Sequence, residues 1–263
     1  MTSTPTEPFI TRKDAQGVAT ITLNRPGARN ALTRSGITEV FNALTSIGTD
    51  KSVKTVVLAG AGPAFCAGHD LKELRANTDP KWTQELFDAC SEMMLAMTRL
   101  PQPIIARVHG IATAAGCQLV AAADLAVAAK SATFTTPGVN IGLFCSTPMV
   151  ALSRNVGRKK AMEMLLTGRP LSATDAEAAG LINTSVPDEK LDETVYDLAA
   201  VIASKAPKVL AIGKRAFYEQ IELGLADSYA YAGAVMTKNM MEPDATEGID
   251  AFLNKRSPVW DQG

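Results

Sequence analysis

Two glycine- and alanine-rich turns in this sequence could each present a backbone N–H group to the same negatively charged oxygen. One is the small-residue loop 110–116, which follows an apolar run at 104–108 and leads into a helical pattern from Cys117. The other is 61–70, which follows a second apolar run at 56–60. The first N–H groups of a helix have no intrahelical partner, and the helix dipole favours negative charge there. Two such turns predict an oxyanion hole, a site built from backbone rather than from side chains.

The residues of these turns resemble the crotonase (enoyl-CoA hydratase/isomerase) superfamily. Residues 67–74 read A-G-H-D-L-K-E-L against the family's A-G-x-D-L/I-K-E-x, and residues 110–118 read G-I-A-T-A-A-G-C-Q against G-x-A-x-G-G-G-C-E. A third segment, N-R-P-G-A-R-N-A-L at 24–32, precedes them in the family's order. The resemblance spans about residues 18–260. It implies an acyl-CoA thioester as ligand, with its carbonyl oxygen held by the amides of His69 and Ala115.

The resemblance also assigns residues to the coenzyme A and thioester parts of the ligand. In the family, the segment corresponding to 24–32 lies along the pantetheine and adenosine, and a C-terminal segment closes over CoA, sometimes from a neighbouring subunit. A solvated helix end explains the cations of that C-terminal segment about as well. Coenzyme A enters as part of the substrate, so no separate cofactor and no metal site are expected. The predicted substrate- and CoA-binding residues are Arg25, Ala28, Ala67, His69, Asp70, Leu71, Lys72, Ala112, Ala115, Pro137, Phe252 and Lys255.

The sequence departs from the family at the positions that move protons. The family's hydratases hold and activate a water with two glutamates, and these positions are Gln118 and Gly138 here. Glutamine can hydrogen-bond a water but cannot accept its proton, and glycine can do neither. Isomerases of the family usually keep the second glutamate. The usual hydratase mechanism is therefore unsupported, and the predicted catalytic positions are His69, Ala115, Gln118 and Gly138.

Other groups could replace the missing acid and base. His69 is the first choice because an ordinary imidazole titrates near neutral pH, although its side chain can equally point away from the thioester. Cys145 could act as a nucleophile, but no base is placed beside it, so an inert small residue is favoured. His109 and Cys117 are interpreted as strand-end or core residues, and Asp124 as a helix-capping carboxylate. Asp70 is interpreted as a structural carboxylate that bonds the backbone of its own loop.

Two classes of function remain open. One is an acyl-CoA enzyme that uses the oxyanion hole with non-standard proton handling, for hydration, isomerisation or thioester hydrolysis. The other is a non-catalytic acyl-CoA binder, a pseudoenzyme. A dinucleotide-binding dehydrogenase is disfavoured because residues 60–65 fail G-x-G-x-x-G, and a serine hydrolase because no G-x-S-x-G occurs. The same motifs resemble one subgroup of the superfamily whose members share these glutamate losses.

The elements that must hold the two turns form an α/β pattern. With 263 residues, 46% of them hydrophobic, the chain can bury one substantial core and carry a helical appendage. Strands are predicted at 18–23, 56–60, 104–108 and 125–129, with a shorter one at 132–136, and helices between them imply a largely parallel core. The resemblance makes this core a ββα spiral. We expect residues 1–200 to form it with the acyl-CoA site, and helices within 201–263 to serve trimerisation and CoA cover.

Composition and charge bear on the binding partners and the cellular location of the protein. The net charge of −1 implies no general attraction to nucleic acid or an anionic membrane, and no apolar run approaches membrane-spanning length. Four cysteines without a CxxC pair favour reduced thiols over disulfides or a zinc site. Residues 1–8 are polar and resemble neither a signal peptide nor a good transit peptide. These features predict a cytoplasmic protein. The resemblance to the crotonase superfamily implies a homo-oligomer, a trimer or a dimer of trimers, whose ligand is an acyl-CoA.

Overall fold

The computed structural model describes residues 7–261, so the last two residues and residues 1–6 of the polar N-terminal segment lie outside the described part. The strands are β1 (Ile10–Ala15), β2 (Val18–Leu23), β3 (Thr55–Gly60), β4 (Ala64–Cys66), β5 (Ile104–Val108), β6 (Ile111–Thr113), β7 (Leu125–Ala129), β8 (Thr133–Thr135), β9 (Leu171–Ser172) and β10 (Thr184–Val186). The helices are α1 (Arg34–Gly48), α2 (Leu71–Ala76), α3 (Pro80–Arg99), α4 (Ala115–Ala122), α5 (Pro148–Asn155), α6 (Arg158–Thr167), α7 (Ala173–Ala178), α8 (Leu191–Ala203), α9 (Pro207–Gln220), α10 (Leu225–Met240) and α11 (Pro243–Leu253).

A six-stranded sheet forms the base of the fold, in the order β1-β2-β3-β5-β7-β10. All neighbours run parallel except the antiparallel pair β1 and β2. The inner strands are continuous apolar runs because both faces of the sheet are covered. Helix α8 covers one face with Leu191, Val195 and Ala199, and the main core covers the other. This confirms the parallel core that the sequence predicts.

A second, smaller sheet holds the ends of the two small-residue turns. Its order is β4-β6-β8-β9, with β4, β6 and β8 parallel and β9 antiparallel to β8. Each of its parallel strands directly follows a longer strand of the first sheet, and a helix comes next. The chain therefore repeats strand, strand and helix, which confirms the ββα arrangement. From the sequence alone, the segments of β4 and β6 are interpreted as turns, because three residues are too few to show a two-residue alternation.

Helix α3 begins at an Asp-Pro pair and ends before a proline. Asp79 caps it by accepting a hydrogen bond from the Lys81 amide (3.0 Å), Pro80 occupies its first position, and it ends at Arg99, before Pro101. The three methionines of this helix belong to the core. The buried residues of the helix are Leu86, Cys90, Met93, Met94 and Met97.

Asp124 does not cap a helix, contrary to the interpretation from sequence. One carboxylate oxygen accepts from the Ile104 amide (2.7 Å) and from Lys214 Nζ (2.6 Å), and the other accepts from the Tyr218 hydroxyl (2.9 Å). Lys214 also donates to the carbonyls of Met97 (2.8 Å) and Gln102. The carboxylate therefore joins the start of β5 to α9, a contact between residues 90 positions apart that local sequence does not reveal.

Helices α9 and α10 contain no buried residue. A large exposed apolar surface marks an interaction site. The fold as a mixed α/β core with C-terminal helices is confirmed, whereas the division at residue 200 and the oligomerising role of these helices stay predictions. None of the helices within 7–261 combines the length and the apolar character needed to cross a bilayer. The exposed apolar side chains of this region include Phe217, Ile221, Leu225, Tyr229, Met236 and Met240.

Candidate active site

The turns that follow β4 and β6 pack directly against each other. A Cβ on Gly116 would lie 2.1 Å from the Cys66 carbonyl oxygen, so only glycine allows this approach. A Cβ on Gly68, which has a φ of +87°, would lie 2.9 Å from the Thr113 carbonyl oxygen and 3.4 Å from the Ala115 nitrogen. Close backbone contact between parallel neighbours therefore brings the amide of Ala115 beside the residue that precedes His69.

The amide of His69 points away from its strand partner. Leu32 donates to the Gly68 carbonyl (2.8 Å), and Asp70 donates to the Leu32 carbonyl (2.8 Å), which is a parallel bridge around His69. Peptide groups in extended backbone alternate in direction, so the N–H of His69 faces the side opposite Leu32. It has no acceptor among residues 7–261.

The amide of Ala115 is oriented by an unusual backbone conformation at Ala114. Ala114 has φ 50° and ψ −113°, a region that residues with a side chain seldom adopt. Its N–H donates to the Thr135 carbonyl (2.8 Å), and its carbonyl accepts from the Gln118 amide (2.9 Å). These bonds fix the peptide between 114 and 115. As the first residue of α4, Ala115 has no intrahelical acceptor for its N–H and has none elsewhere in the described chain.

The two predicted donors therefore lie on adjacent turns with their N–H groups unused by other described residues. Such a pair can hold the oxygen of a thioester carbonyl as negative charge develops on it. Removing one donor of an oxyanion hole typically costs about 3–4 kcal/mol of transition-state stabilisation. That these amides bind a thioester remains a prediction.

Polar contacts hold the segment 24–32 against the turn 61–70. Arg25 donates to a carboxylate oxygen of Asp70 (2.6 Å), and Asn30 Nδ2 donates to the carbonyls of Ala61 (2.9 Å) and Ala64 (2.8 Å). Burial tends to raise the pKa of Asp70, but the bonds from Arg25 and from two backbone amides hold it below its ordinary value. The carboxylate also caps α2. These contacts agree with the interpretation of Asp70 as a structural carboxylate.

The other predicted binding residues differ in how much they can offer a ligand. Ala112 is buried, so its backbone alone is available, whereas Ala28, Ala67 and Pro137 are half-buried. The exposed ones lie at the start of α2 and near the end of α11. That they contact CoA stays a prediction. These exposed residues are Leu71, Lys72, Phe252 and Lys255.

The two positions that carry glutamate in the family's hydratases are both uncharged here and lie in different surroundings. Gln118 is buried on α4, and its Oε1 has no hydrogen-bond partner among residues 7–261. At Gly138, a Cβ would lie 2.9 Å from the Leu143 carbonyl oxygen and 3.0 Å from Cys145 Sγ. Burial raises the pKa of Cys145, which keeps the thiol protonated. The segment 143–145 thus fills the space that a side chain at position 138 would need.

The side chain of His69 is not suited to acid chemistry near neutral pH. Its ring packs edge-on against Phe87, with ring centroids 5.2 Å apart. Burial lowers its pKa from 6.5 to about 4, so the imidazole is neutral at pH 7 and is a weak base. Its Nε2 lacks a hydrogen-bond partner within the described residues. The ring can still give or receive one hydrogen bond.

Thr136 is a buried polar residue beside the candidate site that the sequence pattern does not reveal. It directly follows β8, is 1% exposed, and its hydroxyl has no partner in the described part of the chain. A threonine before Pro137 is typical of an exposed turn, so no local signal shows its burial. The pairing of β8 with β6 places it near the oxyanion turns.

Comparison with known proteins agrees with these features. The family model for enoyl-CoA hydratase/isomerase matches residues 13–263. The chain is 45% identical over 255 residues to "Enoyl-CoA hydratase domain-containing protein 3, mitochondrial" of Rattus norvegicus, covering 97% of this chain and 85% of the relative. It also superposes on the crystal structure of human enoyl-CoA hydratase domain-containing protein 3, with a TM-score of 0.94, 42% identity and coverage of 96% and 100% of the two chains. An enoyl-CoA hydratase structure from Mycobacterium smegmatis gives a TM-score of 0.95, 52% identity and coverage of 97% and 99%.

The cytoplasmic location predicted from the sequence is wrong on this comparison. The similar proteins from rat, Mus musculus, Xenopus laevis and Homo sapiens all carry "mitochondrial" in their names. The prediction rested in part on reduced cysteines, which separate reducing from oxidising compartments and do not distinguish one reducing compartment from another. By its family match, motifs and fold, the chain belongs to the enoyl-CoA hydratase/isomerase (crotonase) family, and within it to the subgroup of enoyl-CoA hydratase domain-containing protein 3.

Proposed function

We propose that this protein binds acyl-CoA thioesters and holds the thioester oxygen on the amides of His69 and Ala115, without hydrating enoyl-CoA at the rate of relatives that carry both glutamates. The observation that supports the proposal is the pair of N–H groups, unused by other described residues, on two turns in backbone contact. Membership of a family that acts on acyl-CoA thioesters supports the choice of ligand.

The proposal separates binding from turnover because the side chains at the positions predicted to move protons are uncharged at neutral pH. Gln118 cannot accept a proton, Gly138 has no side chain, and the pKa of His69 is lowered to about 4. Addition of water needs a base for the water and an acid for the carbon. Each such group contributes about 10²–10⁴-fold to a rate. Isomerisation and thioester hydrolysis also need groups that move protons, and no observation favours either reaction over binding alone.

Equilibrium binding and turnover on the same protein test this proposal. Butyryl-CoA should bind more tightly than free CoA, and crotonyl-CoA should bind with hydration at least about 10²-fold slower than by a glutamate-bearing relative. Equal affinity for butyryl-CoA and CoA would refute an acyl site. Fast hydration would refute the argument from uncharged side chains.

A matched pair of glycine variants tests the role of the turns. Gly68→Ala places a Cβ 2.9 Å from the Thr113 carbonyl oxygen and should push the turns apart, which weakens butyryl-CoA binding relative to CoA. Gly142→Ala is the control, because Gly142 has a similar φ of +78° but nothing within 4 Å of its Cβ position. Gly142→Ala should introduce the same backbone strain and keep the wild-type affinity for butyryl-CoA. Equal losses in both variants would count against the oxyanion hole.

We also propose that the chain forms a homo-oligomer, a trimer or a dimer of trimers. The exposed apolar surface of α9 and α10 supports this, as does the typical oligomeric state of the family. Sedimentation equilibrium distinguishes the two assemblies. Charged substitutions at Phe217 and Tyr229, which are 57% and 75% exposed, should dissociate the oligomer into folded monomers if this surface is the interface.

A further inference from the structure

The buried side chain of Asn30 bonds to three backbone carbonyls at the start of the turn 61–70. Its Nδ2 donates to the carbonyl oxygens of Ala61 (2.9 Å), Ala64 (2.8 Å) and Phe65 (3.1 Å). An amide nitrogen carries two hydrogens, so three carbonyls use all of its donor capacity. This one side chain therefore ties the chain just after β3 to the strand β4.

Backbone bonds on both sides of Asn30 continue these contacts to the proposed oxyanion donor. One residue earlier, the carbonyl of Arg29 accepts from the Ala67 amide (3.0 Å). Two residues later, Leu32 forms the parallel bridge around His69. The path of the chain from the end of β3 to the His69 amide is therefore set by one short segment with Asn30 near its centre.

The backbone and the partners of Asn30 together select its residue type. Asn30 has a φ of +55°, in the left-handed region that asparagine adopts more readily than most residues with a side chain. Aspartate would place an oxygen without a hydrogen against the three carbonyls. Glycine would suit the backbone but would leave the carbonyls without their donor, which costs free energy where they are buried. Asparagine supplies both the backbone conformation and the donor.

We propose that Asn30 is a positioning residue for the oxyanion hole, because it sets the path of the turn that carries the His69 amide. The inference rests on the proposed acyl-CoA site. Asn30 is 0% exposed, so it acts through the turn and not by touching the ligand. Its Oδ1 also accepts from the amide of Arg25 (2.9 Å), a residue that the family resemblance assigns to CoA binding. One side chain thus joins the CoA end of the proposed site to its thioester end.

Asn30→Gly keeps the left-handed backbone and removes the three bonds to the turn, so it tests the proposal. Dissociation constants are measured for butyryl-CoA and for free CoA, which lacks the thioester. The preference for butyryl-CoA should fall by about threefold to tenfold, the effect of weakening one hydrogen bond to the thioester oxygen. Gln16→Gly is the matched control, because Gln16 also has a positive φ (+52°) but is exposed in the turn between β1 and β2. The control should keep the wild-type preference.

The ratio of the two affinities separates positioning from a general loss of stability. In Asn30→Gly the infrared band of the bound thioester carbonyl should also move towards its frequency in water. Equal losses of affinity for both ligands, or an unchanged ratio in the folded variant, would overturn the inference. If Gly68→Ala loses the preference while Asn30→Gly keeps it, the oxyanion hole stands and the role of Asn30 does not. Equal affinity of the wild type for butyryl-CoA and CoA would overturn both proposals.

Hydrogen exchange of the wild-type protein tests the proposal even if Asn30→Gly does not fold. The amides of Ala67 and Asp70 both bond to the segment that contains Asn30, so they should open as one unit and share the same protection. The side-chain amide hydrogens of Asn30 should exchange as slowly as these two backbone amides. Fast exchange of the Asn30 side chain, or protection of Ala67 and Asp70 that differs by more than about tenfold, would overturn the proposal.

Discussion

Restoring the second glutamate by Gly138→Glu should damage the fold rather than create a hydratase. The Cβ of the new side chain would lie 2.9 Å from the Leu143 carbonyl oxygen, about 0.5 Å inside the 3.4 Å at which ordinary contacts begin. It would also lie 3.0 Å from Cys145 Sγ. Because a backbone atom must move, we expect a loss of about 1–3 kcal/mol of stability. For a chain of this size, that lowers the melting temperature by about 2–12 °C.

Gln118→Glu has a different expected outcome because the amide and the acid have nearly the same shape. This variant should fold normally and hydrate crotonyl-CoA faster than the wild type, by about 10²-fold or more. The double variant with Gly138→Glu should gain nothing further. Adding Cys145→Gly should recover part of the melting temperature, since it removes the close contact with Sγ.

Thermal unfolding and the decay of enoyl-thioester absorbance measure both outcomes on the same samples. The reasoning fails if Gly138→Glu melts at the wild-type temperature. It also fails if the double variant exceeds Gln118→Glu by another 10²-fold, because the segment 143–145 would then be free to make room. A matched control is Gly157→Glu, where nothing lies within 4 Å of the Cβ position.

Three further predictions follow from other contacts. Ala114→Gly should raise the melting temperature by a few degrees, because it relieves the strain at φ 50° without moving the Ala115 amide; a lower temperature would contradict the strain. Lys214→Met should destabilise the protein by about 3–5 kcal/mol in denaturant unfolding, since Lys214 and Asp124 are 6% and 15% exposed and the carboxylate loses its cation. Breaking the exposed ion pair between Lys208 and Glu242 should lower the free energy of unfolding by less than about 1 kcal/mol in the same measurement. Equal losses from breaking this pair and the Lys214–Asp124 pair would refute the difference between exposed and buried pairs. The pKa of His69 falls from 6.5 to about 4 on folding, so the unfolded chain binds the proton first as the pH drops. The free energy of unfolding should therefore fall by up to about 3 kcal/mol between pH 6.5 and 4. His69→Phe should remove that part of the pH dependence, and an unchanged dependence would show that His69 is not buried.

Local patterns in the sequence suffice for much of the scaffold. The strand 18–23 alternates apolar and polar residues, and α3 begins at an Asp-Pro pair and ends before Pro101, so their boundaries follow from nearby residues alone. The family motifs also identify the two turns that lie together in the structure. Each of these features depends on a few consecutive residues.

Other features depend on residues far apart in the chain. The neutral state of His69 follows from burial against Phe87, and the closed space at Gly138 follows from the path of 143–145. Three-residue strands such as β4 exist because a parallel neighbour pairs with them. Thr136 has a sequence context typical of a turn. Physical chemistry applied to single segments cannot supply these contacts, because the partners become neighbours only in the folded chain.

The vibrational frequency of a bound thioester carbonyl tests the central claim most directly. Butyryl-CoA labelled with ¹³C at the carbonyl gives an isotope-edited infrared band that reports hydrogen bonding to its oxygen alone. Two converging amides, from His69 and Ala115, should shift the band of the bound ligand to lower frequency than in water, and Gly68→Ala should reverse part of the shift. An unshifted band in a saturated complex would contradict the oxyanion hole.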